Sequence, residues 1–412
     1  MPYKDDGCKA WWEKWDQRTG VDLAWCLLAV FSIALYMNIV SRQRLCAEMG
    51  VDFRGYYASA QIALQHGFAQ VYDSRLQQEY LSILHHRCPA GTVQDIPIVA
   101  MPYLPAYVLL MLPFTSLEFT TSYLVWTAFN VGVLALYLLR FARAMQVQTG
   151  SFHLLQWLIC LPVLSNLFLG QMNMLLVIAV GEFVLAYIRG AKVRGGAWLG
   201  LMLVKPHLLI LLLPGLALSR NWKVIQGFFI GALAVLGISV LLGGPAGIAA
   251  SAALAIKFAG PLIQTGATMM NWRALALNLN IVFPTWLAWG VAITGMALTA
   301  AWVVYLWLRF SRGTPERWIL LILATYTGTI AVSWHAHFYL LMPLIPLLMV
   351  LDGKHLLPVR VLVAWLLGPP LIYLVVYLTM PELARNGFGL GMLALDVYLL
   401  VWAAGRLEKE EE

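Results

Sequence analysis

The sequence predicts an all-α polytopic membrane protein with about twelve crossings, and three observations carry that reading. Of 412 residues, 61% are hydrophobic, against about 45–50% in ordinary globular chains, more than a water-soluble fold of this size can bury. The charges are segregated: of 27 Lys and Arg and 20 Asp and Glu, 25 lie in residues 1–22, 41–100 and 406–412. At roughly 20 residues per crossing, the remainder suffices for about twelve spans. The apolar runs are continuous, where the strands of a membrane β-barrel would alternate. A soluble enzyme, a single-span receptor, a disordered or fibrous chain and a β-barrel are thereby excluded. The net charge is +7, but the basic residues sit singly or in pairs between apolar runs, so they fit the positive-inside bias and no nucleic-acid partner is expected.

The elements follow in order. Residues 1–20 are polar and carry Trp11, Trp12 and Trp15, which reads as a cytoplasmic amphipathic lead-in with no cleavable signal. The first span is 22–40. Residues 41–120 form a first extracytoplasmic loop with its own helices. One, over about 55–66, carries Tyr56, Tyr57, Ala60, Ala63 and Leu64. Another opens on a Ser74–Gln77 capping box and continues with Leu76, Tyr80, Ile83, Leu84 and Arg87 at helical spacing. Residues 103–117 make a helix of about 22 Å, short of the roughly 30 Å hydrocarbon core, and read as interfacial or re-entrant.

Polar breaks then recur near 118–121, 140–151, 166–173, 189–196, 219–224, 243–284, 309–317, 333–337, 352–358 and 379–388. The interval 195–219 is too short for two crossings, so it predicts a bent pair of short helices with Lys205-Pro206 at the turn, because Pro206 removes a backbone donor. Lys205 then faces a cavity, since irregular backbone at membrane depth is tolerated only there. Residues 243–284 form a second extracytoplasmic loop.

Placing residues 1–20 inside puts twelve basic residues in the inner loops (Arg140, Arg143, Arg189, Lys192, Arg194, Arg220, Lys223, Arg309, Arg312, Arg317, Lys354, Arg360). The short outer segments then hold Lys205, Lys257, Arg273 and Arg385. This asymmetry orients the chain: residues 1–412 form a single transmembrane domain with both termini cytoplasmic and the long loop outside. Among five cysteines, Cys8 is cytoplasmic and Cys26 and Cys160 lie in spans. Cys46 and Cys88 share the outer loop, where a disulfide is expected, two free thiols being the alternative.

Ionisable groups at the membrane face or within a span are functional candidates. Asp52, in Asp52-Phe53-Arg54-Gly55-Tyr56-Tyr57, is a carboxylate within reach of a lipid headgroup and suits a general base; an N-cap or a pair with Arg54 is the structural alternative. Ser333-Trp334-His335-Ala336-His337 brings two imidazoles to an outer span end. On a helix they would point to different faces, which disfavours a joint metal site and leaves one of them for a phosphate or hydroxyl. Lys205-Pro206-His207 offers a cation at a helix break, with snorkelling as the alternative. Gly170-Gln171-Met172-Asn173 is, alone, a turn signal. Asn271-Trp272-Arg273 supplies a guanidinium suited to phosphate. Glu182 and Asp396 lie within spans and read as structural, a proton-coupled transporter being the alternative. No phosphate-binding Gly-rich loop is present, and Gly-x-x-x-Gly spacings read as packing signals.

In this order the motifs resemble glycosyltransferase family 87, a bacterial membrane family of the GT-C fold class. The resemblance rests on Asp52-Phe53 with Tyr56-Tyr57-Ala58, Val71-Tyr72-Asp73, Tyr103 with Pro105, Gly170-Gln171 with Asn173, Gly200 through Lys205-Pro206, and Ser333-Trp334 with His337. The chain departs from the family pattern at Ala106, where a second proline is common, and at Ala336, where adjacent histidines are common; His337 is the favoured counterpart.

The resemblance implies a GT-C fold and inverting transfer of a sugar, with mannose a candidate, from a polyprenyl-phosphate donor to a lipid or glycan acceptor. The reaction is expected on the extracytoplasmic face of the bacterial cytoplasmic membrane, where nucleotide sugars are not available. Asp52 or His337 would be the base. Arg54, Tyr56, Tyr57, Tyr103, Gln171, Asn173, Lys205, His207, Asn271, Arg273, Trp334 and His335 would bind substrate. No cofactor is expected, and the lack of a carboxylate cluster in the outer loop leans towards metal independence. A transporter or flippase of polyprenyl-linked sugars, which needs no base, is the competing class; an envelope-assembly subunit is the lesser one.

Overall fold

The computed structural model describes residues 50–86, 101–147, 151–259, 266–379 and 384–409, together with Val30 and Ala34. Apart from Val30 and Ala34, the expected first span lies outside the described residues, as do Cys46 and Cys88. All regular structure among the described residues is helical.

Two helices open the described chain: α1 (Val51–His66) and α2 (Ser74–His86). α1 begins four residues earlier than the spacing predicts, so Asp52 sits inside its first turn and Gly50 is the N-cap. That removes the capping reading of Asp52. The expected capping box of α2 is corrected as well. Asp73, one residue before Ser74, accepts from the backbone N–H of Arg75 and Leu76, and the Gln77 amide reaches back to the Val71 carbonyl. The 103–117 segment is one helical turn, α3 (Pro105–Val108), continued as a 3-10 helix over Leu109–Phe114. It is too short to span, as expected.

Next come α4 (Phe119–Ala144), α5 (Ser151–Leu158), α6 (Leu161–Leu169), α7 (Met174–Ile188) and α8 (Lys192–Leu199). The break at 205 takes the expected bent form: 3-10 helices over Gly200–Val204 and Pro206–Leu209 flank Lys205, and α9 (Leu212–Leu218) follows. Much of the 243–284 interval is helical. α10 runs over Trp222–Ala259, kinked where Gly244 takes φ 66° and ψ 177° and Pro245 restarts the helix. A left-handed φ is open to glycine at little cost, so a Gly-Gly-Pro sequence that reads as a helix end acts as a hinge between two helical arms. The chain closes with α11 (Trp272–Leu279), α12 (Thr285–Phe310), α13 (Pro315–Val332), a 3-10 helix over Phe338–Leu344, α14 (Ile345–Gly353), α15 (Val359–Thr379) and α16 (Ala384–Lys409).

Among the described residues, five segments are long and apolar enough to cross a membrane: Phe119–Ala144, Trp222–Lys257, Thr285–Phe310, Val359–Val376 and Asn386–Lys409. Apolar side chains cover their outer faces, with Leu241 86% and Trp286 75% exposed. Contiguous apolar surface of this kind is tolerated in hydrocarbon and not in water, so the chain is a membrane protein. α7 and α13 are buried along nearly their whole length and form the centre.

Small residues set the closest contact. A Cβ on Gly196 would stand 1.9 Å from the Val224 carbonyl oxygen, one on Gly227 2.0 Å from that of Val193, and one on Gly231 2.1 Å from that of Ala197. α8 and α10 therefore touch backbone to backbone, as small residues at four-residue spacing permit. This contact aims the 3-10 segment that leads to Lys205.

Candidate active site

Three distant segments meet in one polar cluster. Asp52 and Tyr56 are four residues apart on α1 and share a face. Gln171 follows the turn at Gly170 (φ 73°). Lys205 is the non-helical residue between two 3-10 helices, with φ −142° and ψ 71°. The Gln171 amide nitrogen donates to Asp52 Oδ2 at 2.5 Å. Its carbonyl oxygen accepts from Lys205 Nζ at 3.1 Å and from the Tyr56 hydroxyl at 2.8 Å. The Tyr103 hydroxyl stands 3.4 Å from that of Tyr56, and Tyr72 donates to the Tyr103 backbone carbonyl. A single carboxamide thus joins an acid to a buried cation.

The histidine segment completes the cluster. Ser333 to His337 is not helical, so the two rings are not held on different faces: their centroids lie 4.9 Å apart. His337 stacks on Tyr339 at 5.4 Å, Lys205 Nζ lies 4.7 Å from the Tyr339 centroid, and His207 is 6.5 Å from His335. Asn271 and Arg273 brace this segment. Asn271 caps α11 through Ala274 N–H and donates to the Ser333 carbonyl. Arg273 donates to the Trp334 carbonyl and lies 4.4 Å from its indole centroid.

Burial raises the Asp52 carboxyl above its ordinary value, while the Gln171 hydrogen bond and the Lys205 charge pull it back. Burial, then the cations Lys205 and Arg273, push His335 down to about 4. His337 is lowered by burial, His335 and Lys205. Both imidazoles are therefore neutral at physiological pH, able to donate one hydrogen bond and accept another.

Two of the remaining predicted residues point elsewhere. Tyr57 donates to the Leu117 carbonyl, and Arg54 lies 6.0 Å from the Phe119 ring, on faces of α1 other than that of Asp52. Asn173 follows Gln171 by two positions; its amide is buried with neither Nδ2 nor Oδ1 bonded by protein. His207 Nε2 is likewise buried without a protein partner, and its ring borders an open apolar surface groove with Leu203, Leu209, Ile210, Leu213 and Phe228. Unmet buried polar atoms are where a ligand's polar groups would be accepted. Among the described residues, no three His, Cys, Asp or Glu side chains are grouped to hold a metal ion. Sequence reasoning missed Tyr339, which bridges Lys205 to His337; its spacing two residues past His337 carries no signal until the segment is known to be non-helical.

The fold and this cluster define an integral membrane protein with a buried acid–amide–cation site of the kind group transfer uses. The model of glycosyltransferase family 87 matches residues 102–333, more than half of the chain, and the protein belongs to that family; it is a membrane glycosyltransferase acting on a sugar donor and an acceptor. The match includes Tyr103, Gln171, Lys205, His207, Asn271 and Arg273, while Asp52 precedes it and Trp334, His335 and His337 follow it. Comparison with curated proteins and with solved structures finds no match.

Proposed function

We propose that the protein transfers a hexose, with mannose the leading candidate, from a polyprenyl-phosphate donor to a hydroxyl of a lipid or glycan acceptor in a single inverting displacement. The observation that carries this reading is the Asp52–Gln171–Lys205 triad. The acceptor oxygen attacks the anomeric carbon as its proton passes to Asp52. The bond from that carbon to the phosphate oxygen breaks, and its electron pair leaves on the phosphate, where Lys205 stabilises the added charge. His207, where the polar cluster meets the open apolar groove, hydrogen-bonds the phosphate while the isoprenoid lies along the apolar wall. His337 is the alternative base, and Asn173 binds a sugar hydroxyl. Arg273 adds a second cation near His335. Among the described residues the cluster holds one carboxylate rather than a set, which favours a metal-independent displacement. In this reading the chain makes about twelve crossings of the bacterial cytoplasmic membrane with both termini inside, and the site faces out.

The test is product formation by the purified enzyme in micelles, with polyprenyl-phosphate [14C]mannose as donor and extracted membrane lipids as acceptor. The expected products are a new glycoside and free polyprenyl phosphate, with Asp52→Asn slower by about 10²–10⁴-fold. A folded Asp52→Asn enzyme with near-normal transfer would remove Asp52 as base. Movement of intact donor between leaflets with neither product formed would indicate a transporter instead.

A further inference from the structure

The geometry around the Asp52–Gln171 hydrogen bond assigns a role to two side chains that make no contact with it. α6 ends at Leu169, and the C-cap Gly170 N–H meets the Leu167 carbonyl, leaving further acceptor capacity at the helix end. Tyr123 and Trp126, one turn apart on α4, take up part of it. The Tyr123 hydroxyl lies 2.8 Å from the Leu167 oxygen and 3.0 Å from that of Phe168, and Trp126 Nε1–H donates to the Gly170 oxygen at 2.9 Å. The Phe168 oxygen also accepts from the Gly50 N–H at 2.8 Å, which ties the same helix end to the start of α1. Phe53 fills the junction, with its ring centroid 5.7 Å from Tyr123 and 6.2 Å from Trp126. A Cβ on Gly170 would come within 2.5 Å of Phe53 Cβ. Asp52 and Gln171 are each the immediate neighbour of a residue in this latch, Phe53 and Gly170 respectively.

We propose that Tyr123 and Trp126 are positioning residues: they lock the Gly170 turn against the first turn of α1 and thereby hold the Gln171 carboxamide on Asp52. The catalytic consequence rests on Asp52 being the base; the hydrogen bond itself does not. The other groups that bear on Asp52 are Lys205 across from it, Tyr56 on its own helix, and Tyr103 and Tyr339 from neighbouring segments. None of these belongs to the latch, which reaches Asp52 through Gln171 and through Phe53; combining a latch variant with Gln171→Ala isolates the path through the amide.

Two measurements on the purified full-length enzyme test this and separate it from the base assignment. Infrared titration, wild type minus Asp52→Asn, reads the Asp52 carboxylate directly. In Trp126→Phe, which keeps the ring bulk and loses the N–H, that carboxylate should protonate at higher pH than in wild type, because the donor that favours its ionised form is less well held. In the transfer assay with polyprenyl-phosphate [14C]mannose, Trp126→Phe should lose about 3- to 10-fold in kcat with little change in donor KM. The double variant Trp126→Phe/Gln171→Ala should be no slower than Gln171→Ala alone. An unshifted titration, or a double variant whose losses multiply, overturns the proposal. Tyr123→Phe, which removes only a hydroxyl, is read in the same way if Trp126→Phe does not fold. If the titration shifts while Asp52→Asn remains fully active, the latch stands and the base assignment falls.

Discussion

At the scale of single residues, Asp52 sits between opposing effects. Removal from water disfavours its ionised form, and the Gln171 donor with the Lys205 charge favours it; burial is the larger influence. A base must be ionised to accept a proton, so activity should fail on acidification at a pH above 3.8, the ordinary aspartate value. Stability runs the other way. A carboxyl whose folded pKa exceeds its unfolded one contributes most below the unfolded value, and that contribution is lost as pH rises through the folded value. The kcat/KM profile of the wild-type enzyme should therefore show an acidic limb displaced upward, a limb absent from the residual activity of Asp52→Asn. A limb at the ordinary value would mean that the carboxyl is solvated in the working enzyme.

At the scale of elements, helix ends and helix contacts decide where the chemistry is presented. α8 and α10 meet through glycines whose added Cβ atoms would strike backbone oxygens rather than flexible side chains, so the strain has no easy outlet. Gly196→Ala and Gly227→Ala should each cost about 3 kcal/mol, at the upper end for overpacking, seen as a lower melting temperature in detergent. Gly237→Ala, on the same α10 with open space around it, should be neutral or mildly stabilising because alanine is the better helix former. Equal behaviour of the three variants would show that the close approach is not required. The sequence made the break at Lys205-Pro206 legible because proline cannot continue a helix and a lysine does not rest in hydrocarbon. It hid the kink at Gly244, since a Gly-Gly-Pro run serves a helix end and a hinge equally well. It also misplaced the α2 cap by one residue, because Asp73 and Ser74 are both good caps and only the local path of the chain selects between them.

For the whole molecule, two cations gather near one end of α7. Arg140 bonds Glu182 at 2.6 Å, and Arg194 lies 3.8 Å from it, so the in-span acid on α7 is met by cations from the end of the bundle away from Gln171. α12 has Asn280 just before one end and Arg312 just past the other. On a cysteine-free background, a membrane-impermeant maleimide should label Asn280→Cys in intact cells and Arg312→Cys only after permeabilisation. The reverse pattern would place the Asp52 cluster on the cytoplasmic side, where a lipid-linked donor loses its rationale.

Composition and charge segregation alone determined that this chain is helical and membrane-embedded, because hydrocarbon demands continuous apolar runs and internal satisfaction of every backbone group. Ordered motifs made Asp52, Gln171, Lys205 and the two histidines legible as candidates. Which of them touch was decided only by the tertiary structure. Contacts between α1, the Gly170 turn and the 205 break depend on close packing among segments 34 and 119 residues apart along the chain, for which local periodicity carries no information. The same packing gave Tyr57 and Arg54, already on other faces of α1 by helix periodicity, partners away from the cluster, and it brought in Tyr339, Tyr123 and Trp126, whose parts follow from what lies across from them in space.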